Sequence, residues 1–148
     1  MMPSKHVVVS TVTSAVFFAV TKSWGGSLAC FLSGIFIDLD HVVDYWIIRK
    51  KICYSYKKLM DFCLEQTEKA YMIFHSYELL VFLLAVVITL HFQVVWLGCL
   101  IGLSVHMFFD QVTNTIDPFA YFLFYRAKLG FTKSIFDVPV FIKETEEK

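Results

Sequence analysis

Four apolar stretches run through this 148-residue chain, over residues 7–20, 27–37, 79–90 and 94–109, and they limit its fold more than any motif does. Each is shorter than the about 20 residues a helix needs to cross roughly 30 Å of hydrocarbon. Flanking residues 42–48 lengthen the second stretch and 71–77 the third. The run Lys22-Ser23-Trp24-Gly25-Gly26 makes a turn between the first pair, and His91-Phe92-Gln93 makes one between the second pair. Hydrophobic residues are 57% of the chain and 16 are phenylalanine, more apolar surface than a soluble domain of this size can hide. The expected fold is all-α: a single helical membrane domain over 1–148, with about four spans and a short interfacial helix at 116–125 that starts at Asp117-Pro118. A polar segment at 49–69 separates the two pairs, and residues 143–148 form a charged tail.

Composition removes several classes. Disorder, a secreted disulfide scaffold and a basic nucleic-acid-binding domain all fit poorly, so no nucleic-acid partner is expected. Lys+Arg and Asp+Glu are 13 each, yet every basic residue except Lys22 falls on one side of a four-span arrangement. The excess of lysine and arginine puts both termini and the 49–69 segment in the cytoplasm, in a multi-pass inner-membrane protein. An N-terminal signal peptide is the alternative for residues 7–20. No small-x-small cleavage pattern follows cleanly, so an uncleaved first span is the preferred reading.

Ionisable residues inside spans are costly, and here they gather at span ends. His6 starts the first stretch, Asp38, Asp40, His41 and Asp44 follow the second, His75 and Glu78 open the third, and His106 and Asp110 close the fourth. All these ends fall on the basic side. His106 and Asp110 are i, i+4, with Asn114 continuing the line; Asp38 and His41 are i, i+3. Imidazoles and carboxylates presented from facing helices are how bundles build metal sites. His6, Asp38, Asp40, His41, His75, His106 and Asp110 are therefore the expected ligands of a divalent metal, zinc first, with manganese or magnesium as alternatives. Asp44, Glu78 and Asn114 are the general-base or supporting candidates. Taken singly, each cluster also has an ordinary reading: an interhelical hydrogen bond, a solvated helix end, or Ser76 capping the third helix.

The order of motifs resembles that of the membrane-bound metal-dependent hydrolases, also described as LexA-binding, inner-membrane-associated hydrolases. The pieces are Lys5-His6-Val7, Ile37-Asp38-Leu39-Asp40-His41, Phe74-His75-Ser76 and the run from Gly102 through His106 to Asp110. They span a core of about 6–115, leaving 116–148 outside. The resemblance implies a small helical membrane bundle that hydrolyses an unestablished substrate with a metal. Ile37 stands where such proteins carry proline. Ala70, Tyr71 and Met72 stand where they carry His-Arg-Gly, and Phe74 stands where they carry threonine.

The functional expectation is a membrane-embedded hydrolase at the cytoplasmic interface, acting on a phosphoester or lipid headgroup. Arg126 and Lys128 would hold the headgroup phosphate, or simply anchor to anionic lipid. A non-enzymatic membrane module is the alternative, with a structural metal or polar site and a cytosolic protein partner docked on its basic loop. A transporter is less favoured, because no ionisable residue lies near the middle of a stretch.

Overall fold

The computed structural model describes residues 3–64, 69–115 and 117–136. They form seven α-helices and a short 3-10 turn: α1 (Pro3–Thr21), α2 (Trp24–Phe36), α3 (Leu39–Arg49), α4 (Tyr56–Leu64), α5 (Tyr77–Thr89), α6 (Val94–Asn114), α7 (Leu123–Lys128) and the turn at Lys133–Ile135. No strand occurs among the described residues; two isolated bridges, Lys69 with Thr132 and Thr115 with Phe136, tie the C-terminal segment to the rest. Two helical runs are long and apolar enough to cross a membrane, Trp24–Arg49 and Val94–Asn114, while α1 and α5 are shorter apolar helices.

Local chemistry sets the ends of these elements. The Ser23 hydroxyl accepts from the Gly26 amide and starts α2, and the Ser76 hydroxyl accepts from the Leu79 amide and starts α5. That second cap corrects the expectation that 71–77 extends the third stretch. The segment before Tyr77 is not helical, and α5 has 13 residues, about 20 Å of rise. Between α2 and α3 the chain continues through a tightened turn, with Asp38, Asp40 and His41 amides each bonded to the carbonyl three residues back. Residues 56–64, expected only as polar loop, form α4. The expected interfacial helix is also displaced: a turn covers 117–121 and α7 begins at Leu123. The 143–148 tail lies outside the described residues.

The bundle is held by close backbone approach. A methyl group added at Gly98 of α6 would collide with the Gly26 carbonyl of α2, and one at Gly102 with the Cys30 carbonyl and the Ser33 hydroxyl. On α1, His6, Ser10 and Ser14 form one inward line at four-residue spacing and are buried. Ser27 donates to the Ser14 carbonyl at 2.7 Å, and Ser10 packs where a Cβ on Gly34 would sit. The opposite face of α1 carries Val8, Val12, Val16 and Val20, 58% to 79% exposed. Small and polar residues thus face inward and bulky apolar ones outward. A satellite core of Ile37, Leu103, Met107 and Tyr121, with Leu79, Leu80 and Leu83, joins α5 and the C-terminal segment to α6.

Because the α2–α6 seam leaves no space for a Cβ, Gly102→Ala is expected to destabilise the protein by about 1–3 kcal/mol through overpacking against rigid backbone. Gly25→Ala, which meets only Val95 Cγ2 at 3.5 Å, is expected to leave the melting temperature unchanged or raise it slightly. Equal melting temperatures for both variants would show that the seam does not hold the bundle.

Candidate metal centre

Three helices and two non-helical segments deliver the site: α1, α3 and α6, the turn that holds Asp38, and the segment that holds His75. α1 begins at the same end of the bundle where α2 and α6 finish, so His6 meets His106 and Asp110. The two imidazoles stack with centroids 3.9 Å apart and planes 15° apart. His6 Nε2 lies 3.0 Å from Asp110 Oδ1. His106 Nε2 lies 3.1 Å from Asp110 Oδ2 and 3.5 Å from Asp38 Oδ1. From the turn before α5, His75 Nε2 comes within 3.7 Å of Asp38 Oδ1 and 3.7 Å of Asp110 Oδ2. His41 joins from α3, its ring 5.2 Å from that of His75. Two overlapping donor sets result, His6–Asp38–His106–Asp110 and Asp38–His41–His75. Within each set the ligand atoms lie within 4.8 Å of one another.

The backs of these rings are held by the protein. His106 Nδ1 lies 2.7 Å from the Gly34 carbonyl; a carbonyl only accepts, so Nδ1 carries a proton and Nε2 is the nitrogen turned toward the cluster. Asp40 Oδ2 accepts from the Phe74 amide at 2.6 Å and the His75 amide at 3.0 Å, and lies 3.4 Å from His75 Nδ1. Asn114 donates to Asp110 Oδ1 at 2.8 Å. On the inner side, His75 Nε2 and His106 Nε2 are buried with no hydrogen-bond partner. Two atoms each about 2.0–2.1 Å from a zinc-sized ion stand roughly 3.3 Å apart in a tetrahedral shell. The separations of 3.0–3.7 Å therefore match ligand spacing. The cluster has the donor set and the unpartnered atoms to hold a metal ion.

Six of the seven expected ligands meet in this cluster. Asp40 does not: it sits behind His75 and orients it, because its neighbour His41 takes the helix direction that faces the donors. Glu78 is also displaced, since its carboxylate accepts from the Leu123 amide at 2.9 Å and the Phe124 amide at 3.2 Å, compensating the N-terminus of α7. Asp44 accepts from the Met72 amide at 3.1 Å on each oxygen. Met72 has φ 38, the left-handed region that glycine adopts without strain, at the position where the resemblance expects glycine.

Arg126, expected at a lipid headgroup, is fully buried. Its Nη2 donates to the Met72 carbonyl at 2.9 Å and the His75 carbonyl at 3.0 Å, so it clamps the segment that carries His75. Burial lowers the pKa of its guanidinium from the usual range, partly offset by Tyr121 and by the carboxylates of Asp40, Asp44 and Glu78. Lys128 is exposed on the outside of α7. Sequence reading missed this clamp because a basic residue after an aromatic run looks the same whether it points to lipid or inward. The Cys63 thiol is pushed up to about 11 by burial, which suits an inert wall residue.

No protein-family model, curated protein or solved structure matches this chain.

Asp40→Ala is expected to leave the Phe74 and His75 amides buried without an acceptor, costing roughly 2–4 kcal/mol and speeding hydrogen exchange across 72–76. Unchanged exchange there would mean that Asp40 does not hold the segment. Glu78→Gln is expected to speed exchange at Leu123 and Phe124 while leaving 72–76 as it was.

Proposed function

We propose that this chain is a membrane-embedded, metal-dependent hydrolase whose site lies at the cytoplasmic interface and acts on a phosphoester or lipid headgroup. One observation carries the reading. The Nε2 atoms of His6, His75 and His106 and carboxylate oxygens of Asp38 and Asp110 converge at 3.0–3.7 Å, with two of those nitrogens buried and unpartnered. His6, Asp38, His41, His75, His106 and Asp110 would hold a divalent metal, zinc first by its nitrogen-rich donors, with manganese or magnesium admitted by the carboxylates. Such an ion supplies Lewis-acid polarisation of a phosphoryl oxygen and brings hydrolysis into the neutral pH range.

The chain's own residues do the rest. Asp40 and the Gly34 carbonyl fix the ring orientations of His75 and His106, and Asn114 fixes Asp110. Asp38 and His41 are the cluster members with partial exposure, so a substrate meets the cluster on their side. Of the three general-base candidates Asp44 alone combines a titratable group with a position on the adjoining cavity wall. The motif order that resembles the membrane-bound metal-dependent hydrolases supports the same activity.

Membrane embedding is supported by the inverted dressing of the helices. Val8, Val12 and Val16 on α1, Val81 and Phe82 on α5, and Phe108 and Val112 on α6 all point outward and are exposed, while serine, glycine and histidine face inward. In the proposed four-span bundle the spans are α1, α2 with α3, α5 and α6. The short α5 is then completed by residues 70–76. Irregular backbone at that depth is tolerated only when the protein satisfies it, as Asp40, Asp44 and Arg126 do here. The excess of lysine and arginine assigns this end to the cytoplasm in a multi-pass inner-membrane protein.

Purified protein is expected to carry at least one divalent metal per chain, lost in His106→Ala and in Asp38→Ala. Asp40→Asn is expected to weaken affinity by about 10–100-fold, read by competition with a chelator of known affinity. Wild type that purifies metal-free and binds no added zinc or manganese overturns the proposal. Metal-loaded protein inert toward phospholipid and generic phosphoesters favours the structural module instead. For orientation, Tyr54→Cys in a Cys53→Ser background is expected to react with an impermeant maleimide only from the cytoplasmic side.

A further inference from the structure

The His–Asp cluster opens onto a cavity of about 390 Å3, within the roughly 300–1,000 Å3 of ligand pockets. Asp38, His41 and Asn114 form its border with the cluster, and Asp44 and Lys133 are the other charged residues of its lining. Nearly all the remaining wall is apolar, with Val42 from α3 and Leu59, Met60 and Phe62 from α4. The local sequence explains why α4 is there. Its Tyr56, Lys57, Lys58 and Asp61 are exposed, while Leu59, Met60, Phe62 and Cys63 turn inward, an amphipathic helix laid over the space.

The wall chemistry selects its occupant. An apolar space without an occupant forfeits dispersion contacts with its lining, and water gains little there without polar partners. A hydrocarbon chain fits both conditions. Its volume of about 390 Å3 lies at the small end of ligand pockets, which favours one chain over two. Lys133 is buried, its Nζ donating to the Phe62 carbonyl at 2.7 Å and lying 4.1 Å from the Phe62 ring centroid. Asp44 lies on the same wall and offsets that charge. The cluster border, holding a cation under the proposed function, favours an anionic group beside it.

We propose that this cavity binds the hydrocarbon chain of a single-chain amphiphile with an anionic oxygen headgroup, a phosphate or a carboxylate, seated at the border with the His–Asp cluster. The chain pocket stands on the apolar wall; the anionic charge of the head and its assignment as the reacting group rest on the metal-dependent hydrolase reading. Substrate class is thereby narrowed from phosphoesters at large to single-chain lipids, and α4 becomes the element that reads the chain.

Photocrosslinking tests this in nanodiscs, where no detergent competes. Lysophosphatidate and palmitate, each with a mid-chain diazirine, are irradiated with the full-length protein, and labelled residues are mapped by mass spectrometry. Labelling is expected on Val42, Leu59 and Met60, competed by unlabelled single-chain lipid and not by glycerol phosphate. Met60→Trp is expected to cut that labelling at least tenfold with the metal content of the same sample unchanged; Val42→Phe serves if Met60→Trp fails to fold. Val112→Trp, on the exposed face of α6, is expected to change nothing. Preference for one probe identifies the headgroup. Labelling confined to outward residues such as Phe82 and Val112, or indifferent to Met60→Trp, overturns the proposal. Equal labelling by a neutral monoacylglycerol probe overturns its anionic part. Pocket labelling of protein that binds no metal leaves the chain pocket standing and removes the hydrolase reading, so the two fail separately.

Discussion

Everything in this structure depends on the contact of α2 with α6, backbone against backbone. In the proposed bilayer setting leucine and phenylalanine side chains would gain little by facing another helix rather than lipid, so apolar burial alone would not decide how the helices pair. Gly98 and Gly102 decide it, because only a missing Cβ lets the Gly26 and Cys30 carbonyls come so close. The same approach puts the Gly34 carbonyl within 2.7 Å of His106 Nδ1. A larger residue in the seam would separate the helices and withdraw the bond that orients the His106 ring. Ser10 packs against Gly34 in turn, which seats α1 and brings His6 onto His106. Site geometry and helix packing are therefore one constraint.

The 70–76 segment is the second device. A stretch without helix inside a bundle must find partners for its amides and carbonyls elsewhere. Asp44 takes the Met72 amide, Asp40 takes those of Phe74 and His75, and Arg126 takes the Met72 and His75 carbonyls. Charged groups are strong partners for buried backbone, and these bonds offset part of the cost of burying them. The left-handed backbone at Met72 is strained for a side-chain-bearing residue. It persists because an aspartate and an arginine grip the same residue from opposite sides.

Local spacing was legible in the sequence, and three-dimensional partnership was not. His106 with Asp110 and Asp38 with His41 are one turn apart on helices, so their shared faces followed from periodicity. The convergence of these pairs with His6 and His75 followed from which span ends share a side. Asp40 was misassigned because adjacent helical residues point about 100° apart, and only one of Asp40 and His41 can face the donors; nothing local says which. Glu78 and Arg126 were misplaced for a related reason. Their contacts join residues 72–78 to a C-terminal segment 45 to 54 residues away whose path the sequence does not reveal. The helical character of 56–64 was hidden by its lysines, which read as loop until the inward line of Leu59, Met60 and Phe62 is set against a cavity.

A polar cluster this deep raises the question of why the protein tolerates it. Several groups are held from outside the cluster: His106 Nδ1 by the Gly34 carbonyl, Asp40 Oδ2 by two amides, Asp110 Oδ1 by Asn114. On the inner side the buried Nε2 atoms of His75 and His106 remain without hydrogen-bond partners. Both nitrogens instead face the carboxylates of Asp38 and Asp110 at 3.1–3.7 Å, so imidazole and carboxylate donors are oriented toward one another in a set that a cation could bind. The border with the apolar cavity then falls at Asp38 and His41, the only cluster members that are not fully buried. A cation held there would be shielded from bulk water by the apolar part of the cavity wall, which would strengthen its pull on an anionic group.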